Sequence, residues 1–187
     1  MIIIKIGGSL SRSDALVDCL DALEKNYQGR AVVIVPGGGV FADQVRLAQQ
    51  HWEFDDHTAH RMALLAMQQT ALMLKGLKAD FVVVHNVAAI RTQLDRRNIV
   101  IWSPDISELD NAGIAASWDI SSDSLAAWLA RTLAASELIL IKSAAIDASL
   151  SLHQLTEQQI VDKAFCGFVA EAAFTTQVIN VQRFLCQ

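Results

Sequence analysis

Met1-Ile-Ile-Ile-Lys-Ile-Gly-Gly-Ser-Leu10 opens the chain, and its reading decides the fold. Ile2 to Ile6 is the β-branched run expected of a parallel strand buried on both faces. It stops at Gly7-Gly8-Ser9, and a helical pattern follows. Lys5 interrupts the run, and an ammonium in a central strand is costly unless it has somewhere to go. Near the C-terminal end of a strand, beside a glycine turn and the positive end of the next helix, that place can be a bound phosphate. A plain turn with a snorkelling lysine satisfies the same residues. A second glycine turn is what separates the two readings.

That turn follows at once. Ser13 or Asp14 caps a helix to about Lys25 with Leu16, Val17, Leu20 and Leu23 at helical spacing, and Gly29 ends it. Ala31 to Val35 is a second apolar strand, closed by Pro36-Gly37-Gly38-Gly39 and a helix from Val40 to about Gln50. In an open α/β sheet ligands bind at the carboxyl ends of strands, so adjacent strands aim both turns at one crevice. Gly37 to Ala42 also fits the dinucleotide fingerprint G-x-G-x-x-A. That fingerprint requires an acidic residue at the end of the next strand. Asp55 and Asp56 stand at a suitable distance, but His51 to Asp56 reads as a loop with no strand leading into it, and a Rossmann reading leaves Lys5 unexplained.

Farther along, His57 to Lys75 is a long helix, apolar over much of its circumference, and so central or at a subunit interface. Phe81 to Val84 and Ile99 to Trp102 are strands, with a short helix over Val87 to Leu94 between them. Leu109 to Trp118 reads as irregular, and Ser121 or Ser122 caps a helix to about Leu133. Leu138 to Ile141 is a strand ending at Lys142, Leu155 to Phe174 is mostly helical, and Val178 to Val181 is a last strand. The alternation implies an α/β fold with a mainly parallel sheet and helices on both faces, in one domain over residues 1–187.

Composition narrows the chemistry. The 187 residues are 52% hydrophobic and 19% charged, which suits one well-filled domain. A net charge of -5 without a basic block argues against a nucleic-acid or anionic-membrane surface. Cys19, Cys166 and Cys186 are odd in number and widely spaced, as expected of reduced cytoplasmic thiols. No signal peptide or membrane span is expected. His57 and His60 are three residues apart with no third ligand near, so they read as core or interface histidines and no metal site is assigned. The four tryptophans read as core. Arg46, seven residues after Gly39, lies on the same helix face and can reach an anionic group or stay solvated. Asp119-Ile-Ser-Ser-Asp-Ser124 reads as a helix cap, or as a carboxylate at the ligand edge holding lysines for phosphoryl transfer.

K-I-G-G-S at Lys5 to Ser9, P-G-G-G at Pro36 to Gly39 and S-S-D-S at Ser121 to Ser124 resemble, in this order, the amino acid kinase superfamily. That group includes acetylglutamate kinase, aspartokinase, uridylate kinase and isopentenyl phosphate kinase. G-G-G-V-F-A-D-Q-V-R (Gly37 to Arg46), H-R-M-A (His60 to Ala63) and S-W-D-I-S-S-D-S (Ser117 to Ser124) look most like its aminomethylfuran phosphate kinase branch, of methanofuran biosynthesis.

The resemblance implies the carbamate kinase-like fold, a three-layer αβα sandwich, and a homodimer using ATP and Mg²⁺. Lys5 would contact the transferring phosphoryl group, and Gly7, Gly8 and Ser9 would cradle the nucleotide phosphates. Gly37, Gly38 and Gly39 would face the acceptor, with Asp123 organising the lysines. One motif departs. Where the superfamily runs from strand into T-D-V-D-G, this chain reads Lys142-Ser-Ala-Ala-Ile-Asp147, so the nucleotide half is expected to be shortened and Lys142 to supply a cation of its own. The expected function is phosphoryl transfer from ATP to a phosphate or carboxylate acceptor. A phosphate is already an oxyanion and needs no general base. The missing motif leaves a non-catalytic phosphate-binding or assembly subunit as the alternative.

Overall fold

The computed structural model describes residues 1–186. Among them, β1 (Ile2–Ile6), β2 (Val32–Pro36), β3 (Val82–Val84), β4 (Val100–Trp102), β5 (Glu137–Lys142) and β6 (Thr175–Asn180) form one sheet in the order β3-β4-β2-β1-β5-β6. Every pairing is parallel. β1 is therefore central, and its five residues are all buried because helices cover both sides.

One layer contains α1 (Ala15–Tyr27) and α9 (Val181–Leu185), whose Leu20, Leu23 and Phe184 pack with Ile2, Ile4 and Ile34. Against the other face, α6 (Ser122–Thr132) puts Leu125 and Leu129 with Ile3, Val33 and Leu140. The period of two along a strand divides the side chains this way. It also sends Lys5 and Lys142, in step with Ile3 and Leu140, to the α6 side.

α2 (Gly39–Trp52) ends at Glu53, in the left-handed region at φ 54°, and α3 (Asp56–Leu77) begins three residues later. Asp55 accepts from Thr58 N at 2.7 Å as the α3 cap, and Asp56 accepts from Gln49 at 2.8 Å. No strand precedes them, so the dinucleotide reading of the second glycine turn loses its acidic residue.

Three expectations need correction. The stretch from Leu109, expected to be irregular, starts inside α5 (Ile106–Asn111), which Asp105 caps by accepting from Glu108 N at 3.0 Å. α4 (Val87–Asp95) lies where expected. Leu155 to Phe174 is not mostly helical: α7 (Leu152–Glu157) and α8 (Phe165–Val169) are single short helices separated by turns. Val161, buried from the turns between Leu155 of α7 and Phe165 of α8, continues their apolar pattern without a helix, which is why the segment misled. The last strand starts at Thr175 rather than Val178, because β5 offers a ladder from Glu137 to Lys142.

Candidate functional site

The register places Ile6 opposite both Pro36 and Ile141, so Gly7, Gly37 and Lys142 emerge side by side at the carboxyl ends of the central strands. The two glycine turns touch. A Cβ on Gly8 would stand 2.7 Å from Gly39 N, and one on Gly37 would stand 2.5 Å from Gly8 N. The absence of side chains thus serves the approach of one turn to the other, before any ligand is considered. Gly39, at φ 54°, also needs its glycine for the left-handed conformation.

Beneath the turns, two lysines share one carboxylate. Lys5 Nζ is 2.9 Å from Asp123 Oδ1, in an ion-pair contact poorly aligned for a hydrogen bond, and Lys142 Nζ donates to Oδ2 at 2.6 Å. The three residues are only 4%, 3% and 9% exposed. Burial by itself would raise the Asp123 pKa, but Lys5 and then Lys142 outweigh it and hold the carboxyl below its ordinary value. Burial, then repulsion from Lys5, pushes Lys142 down to about 8 against the pull of Asp123. The triad itself carries one positive charge in excess, opposed in part by the nearby Asp162, and a bound anion would relieve it further.

The first turn of α6 holds Asp123 in place, and its cap comes from far along the chain. Asp162 Oδ2 accepts from Ser121 N and Ser121 Oγ, both at 2.8 Å, and from Ser124 N at 3.0 Å, while Ser124 Oγ donates to Oδ1. The serine expected to cap this helix makes no such bond through its own side chain. Asp162 was missed because the segment carrying it reads as helix and nothing local marks it.

Two cavities open at the glycine turns, and the triad borders the second. The first, about 330 Å³, lies between the glycine turns and α3 and is lined by Gly8, Gly37–Gly39, His60, Leu64 and Met67 among others. The second, about 800 Å³, contains Lys5, Gly7, Lys142 and the turn Gln158–Lys163. Both reach Gly8, Ser9, Arg46 and Trp118. The Arg46 guanidinium carbon is 3.7 Å from the centroid of Trp118, whose Nε1 donates to Gln49 at 2.6 Å. Trp118 is thus a site residue that the reading of tryptophans as core overlooked; its place in the Ser117–Ser124 motif was the available signal. Trp102 and Trp128 do stack in and against the core.

The ten residues expected to bind phosphate, nucleotide or acceptor are neighbours here: Lys5, Gly7, Gly8, Ser9, Asp123 and Lys142 border the second cavity, and Gly37, Gly38, Gly39 and Arg46 the first.

The low Lys142 pKa gives a pH dependence with a definite sign. The folded value is about 8 and the ordinary one 10.5. Between them the unfolded chain binds more protons, so the cost of the charged Lys142 is fully present below pH 8 and fades above it. Measured against Lys142→Met by denaturant titration, wild-type stability should gain on the order of 1 kcal/mol from pH 7.5 to 9. Affinity for phosphate-bearing ligands should fall over the same interval as the excess charge disappears. A pH-independent difference between the two proteins would contradict this account.

Comparison with known proteins agrees with the geometry. The amino acid kinase family model matches residues 1–145. A [5-(aminomethyl)furan-3-yl]methyl phosphate kinase of Methanocaldococcus jannaschii is 30% identical over 146 residues, 75% of this chain and 64% of that protein. The chain thus spans less than two thirds of the length of this curated relative. UMP kinase from Ureaplasma parvum superposes with a TM-score of 0.73 at 17% identity, covering 98% of this chain and 91% of its own. Aspartate kinase from Synechocystis gives 0.73 at 13% identity, over 97% of this chain and 38% of its own. These solved structures share the fold.

Proposed function

This chain belongs to the amino acid kinase family, and from that premise we propose that it is a kinase passing the γ-phosphoryl group of ATP to a small phosphate acceptor. The observation that carries the reading is the excess positive charge of Lys5–Asp123–Lys142 at the glycine turns where the two cavities meet. The larger cavity takes the nucleotide, with Gly7, Gly8 and Ser9 around its phosphates. The smaller takes the acceptor, bounded by Gly37, Gly38, Gly39 and Arg46. An acceptor phosphate oxygen attacks the γ-phosphorus, the bond to the β-phosphate oxygen breaks, and a diphosphate and ADP result with no proton transferred. Lys5 and Lys142 balance charge on the phosphoryl oxygens, while Asp123 keeps the two ammonium groups together.

Every carboxylate lining the nucleotide cavity is already engaged: Asp43 by Arg12, Asp119 by Lys163, Asp123 by the lysines and Asp162 by the α6 cap. Mg²⁺ would therefore be carried by the ATP phosphates and water, without the one or two protein carboxylates that such sites usually add.

Among acceptors we favour [5-(aminomethyl)furan-3-yl]methyl phosphate, the substrate in the name of the M. jannaschii relative, in keeping with the expected place in methanofuran biosynthesis and one-carbon metabolism. A furan ring suits walls made by Leu64, Met67 and Trp118, and the cavity lies at the small end of ligand sites. Incubation with ATP, Mg²⁺ and this acceptor should release ADP. Calorimetry with a non-hydrolysable ATP analogue should show one site per chain. Absence of both would leave the non-catalytic subunit as the better reading, motivated by the missing T-D-V-D-G.

A cytoplasmic homodimer completes the proposal, since ATP is the donor and the described cysteines are free. Leu65 and Leu72 stand exposed on α3, in line with Gln69. Two copies of this face would bury them. Leu72→Glu should convert the dimer to monomers in sedimentation velocity; a wild-type protein sedimenting only as a 20.4 kDa monomer would end the idea.

A further inference from the structure

His60 stands in the second turn of α3, 7% exposed, and lines the acceptor cavity. Its Nδ1 is 3.2 Å from the carbonyl oxygen of Ser117. A carbonyl oxygen only accepts, so Nδ1 carries the proton and the neutral ring keeps Nε2 as an acceptor. Burial lowers the His60 pKa; the bond to Ser117 and the charge of Asp110 oppose this, and His57 adds to it. Among the described residues none donates to Nε2. Nε2 is not among the fully buried atoms that lack a partner, so it faces the cavity, where water serves it until a bound ligand takes that water's place.

Its position suits a ligand. Ala66, on the same helix, is 3.6 Å from a Cβ placed on Gly38, which marks the level of the glycine turn. His60 lies six residues earlier, roughly 9 Å along the helix axis. Between these levels Ala63 and Leu64, with Met67 just beyond Ala66, present an apolar wall. A phosphate at the glycine turn would thus have a ring against this wall and its far end at His60.

We propose that His60 determines acceptor specificity, its Nε2 accepting a hydrogen bond from an ammonium or hydroxyl group carried at the end of the acceptor remote from the phosphate. This rests on the acceptor reading of the smaller cavity. A site built around a buried acceptor discriminates against analogues lacking the donor, because its own group is then left unpaired. His60→Asn separates this role from a structural one: the amide can still donate to Ser117, while the Nε2 acceptor is gone. His60→Phe keeps the ring volume and removes both nitrogens.

The test uses [5-(aminomethyl)furan-3-yl]methyl phosphate and two analogues in which hydroxyl or hydrogen replaces the amino group. ADP release and calorimetric binding are followed for wild type and both variants. Wild type should prefer at least one donor-bearing acceptor over the hydrogen analogue by about 10- to 100-fold, the worth of one hydrogen bond to a desolvated group. Both variants should lose that preference through KM, with kcat and the KM for ATP nearly unchanged and the hydrogen analogue bound as in wild type. Whether the amino or the hydroxyl compound leads identifies the donor. Equal losses for all three acceptors, a preference that survives in both variants, or no preference in wild type would overturn the assignment. If wild type releases no ADP but binding shows the pattern, the kinase reading fails and the role of His60 stands. If none of the three binds, both fail.

Discussion

Asp123→Asn should lose turnover by about 100- to 1,000-fold and also lose stability, by on the order of 3 kcal/mol. The carboxylate is the shared partner of Lys5 and Lys142, and all three groups are buried. Asparagine keeps the size but leaves two ammonium groups facing each other without a counter-charge. Lys142, already near pH 8, relieves part of this by releasing its proton, which limits the cost to the lower end for a broken buried pair. Were Asp123 merely a helix-capping residue, the substitution would cost under about 1 kcal/mol and leave activity intact. That role is already filled, since Asp162 caps α6. ADP release at saturating substrates and urea unfolding decide the matter. A folded Asp123→Asn protein with near-normal turnover would remove Asp123 from the mechanism.

Lys5→Ala should show the opposite combination: turnover again reduced about 100- to 1,000-fold, but stability within about 1 kcal/mol of wild type. Removing one ammonium leaves Asp123 and Lys142 as a balanced pair, offsetting the lost burial of the lysine stem. Because Lys5 is among the groups that push Lys142 down, the Lys142 pKa should rise in this variant. The stability gain above pH 7.5 measured against Lys142→Met should shrink accordingly. An active Lys5→Ala protein would withdraw the phosphate reading of the opening strand. Loss of several kcal/mol in stability would show instead that Lys5 is a structural partner first.

Much of this was legible in the chain itself. Ile2 to Ile6 and Ala31 to Val35 declare buried parallel strands through β-branched residues alone, and glycine runs declare turns at their carboxyl ends. Both signals are local, so no partner need be known to read them. The lysine within the first strand was informative for the same reason: its neighbours in sequence mark a buried strand, and an ammonium there is costly without a partner. Segments with mixed signals were read less well. Leu155 to Phe174 was read as mostly helical but is tied into turns by contacts with α6 and the segment before it, and propensity does not record such contacts.

What sequence by itself determined is thus most of the strands and long helices, their alternation, and the position of glycines and lysines at strand ends. The tertiary structure decided which ends meet. β1 lies between β2 and β5, bringing Lys142 beside Lys5 across a long stretch of chain, and parallel-strand order follows from burying both faces of the sheet rather than from any local pattern. Asp162 as a cap, Trp118 beneath Arg46 and His60 at the cavity wall have the same origin. Each is a contact between residues far apart in sequence, whose free energy exists only once the elements between them have packed.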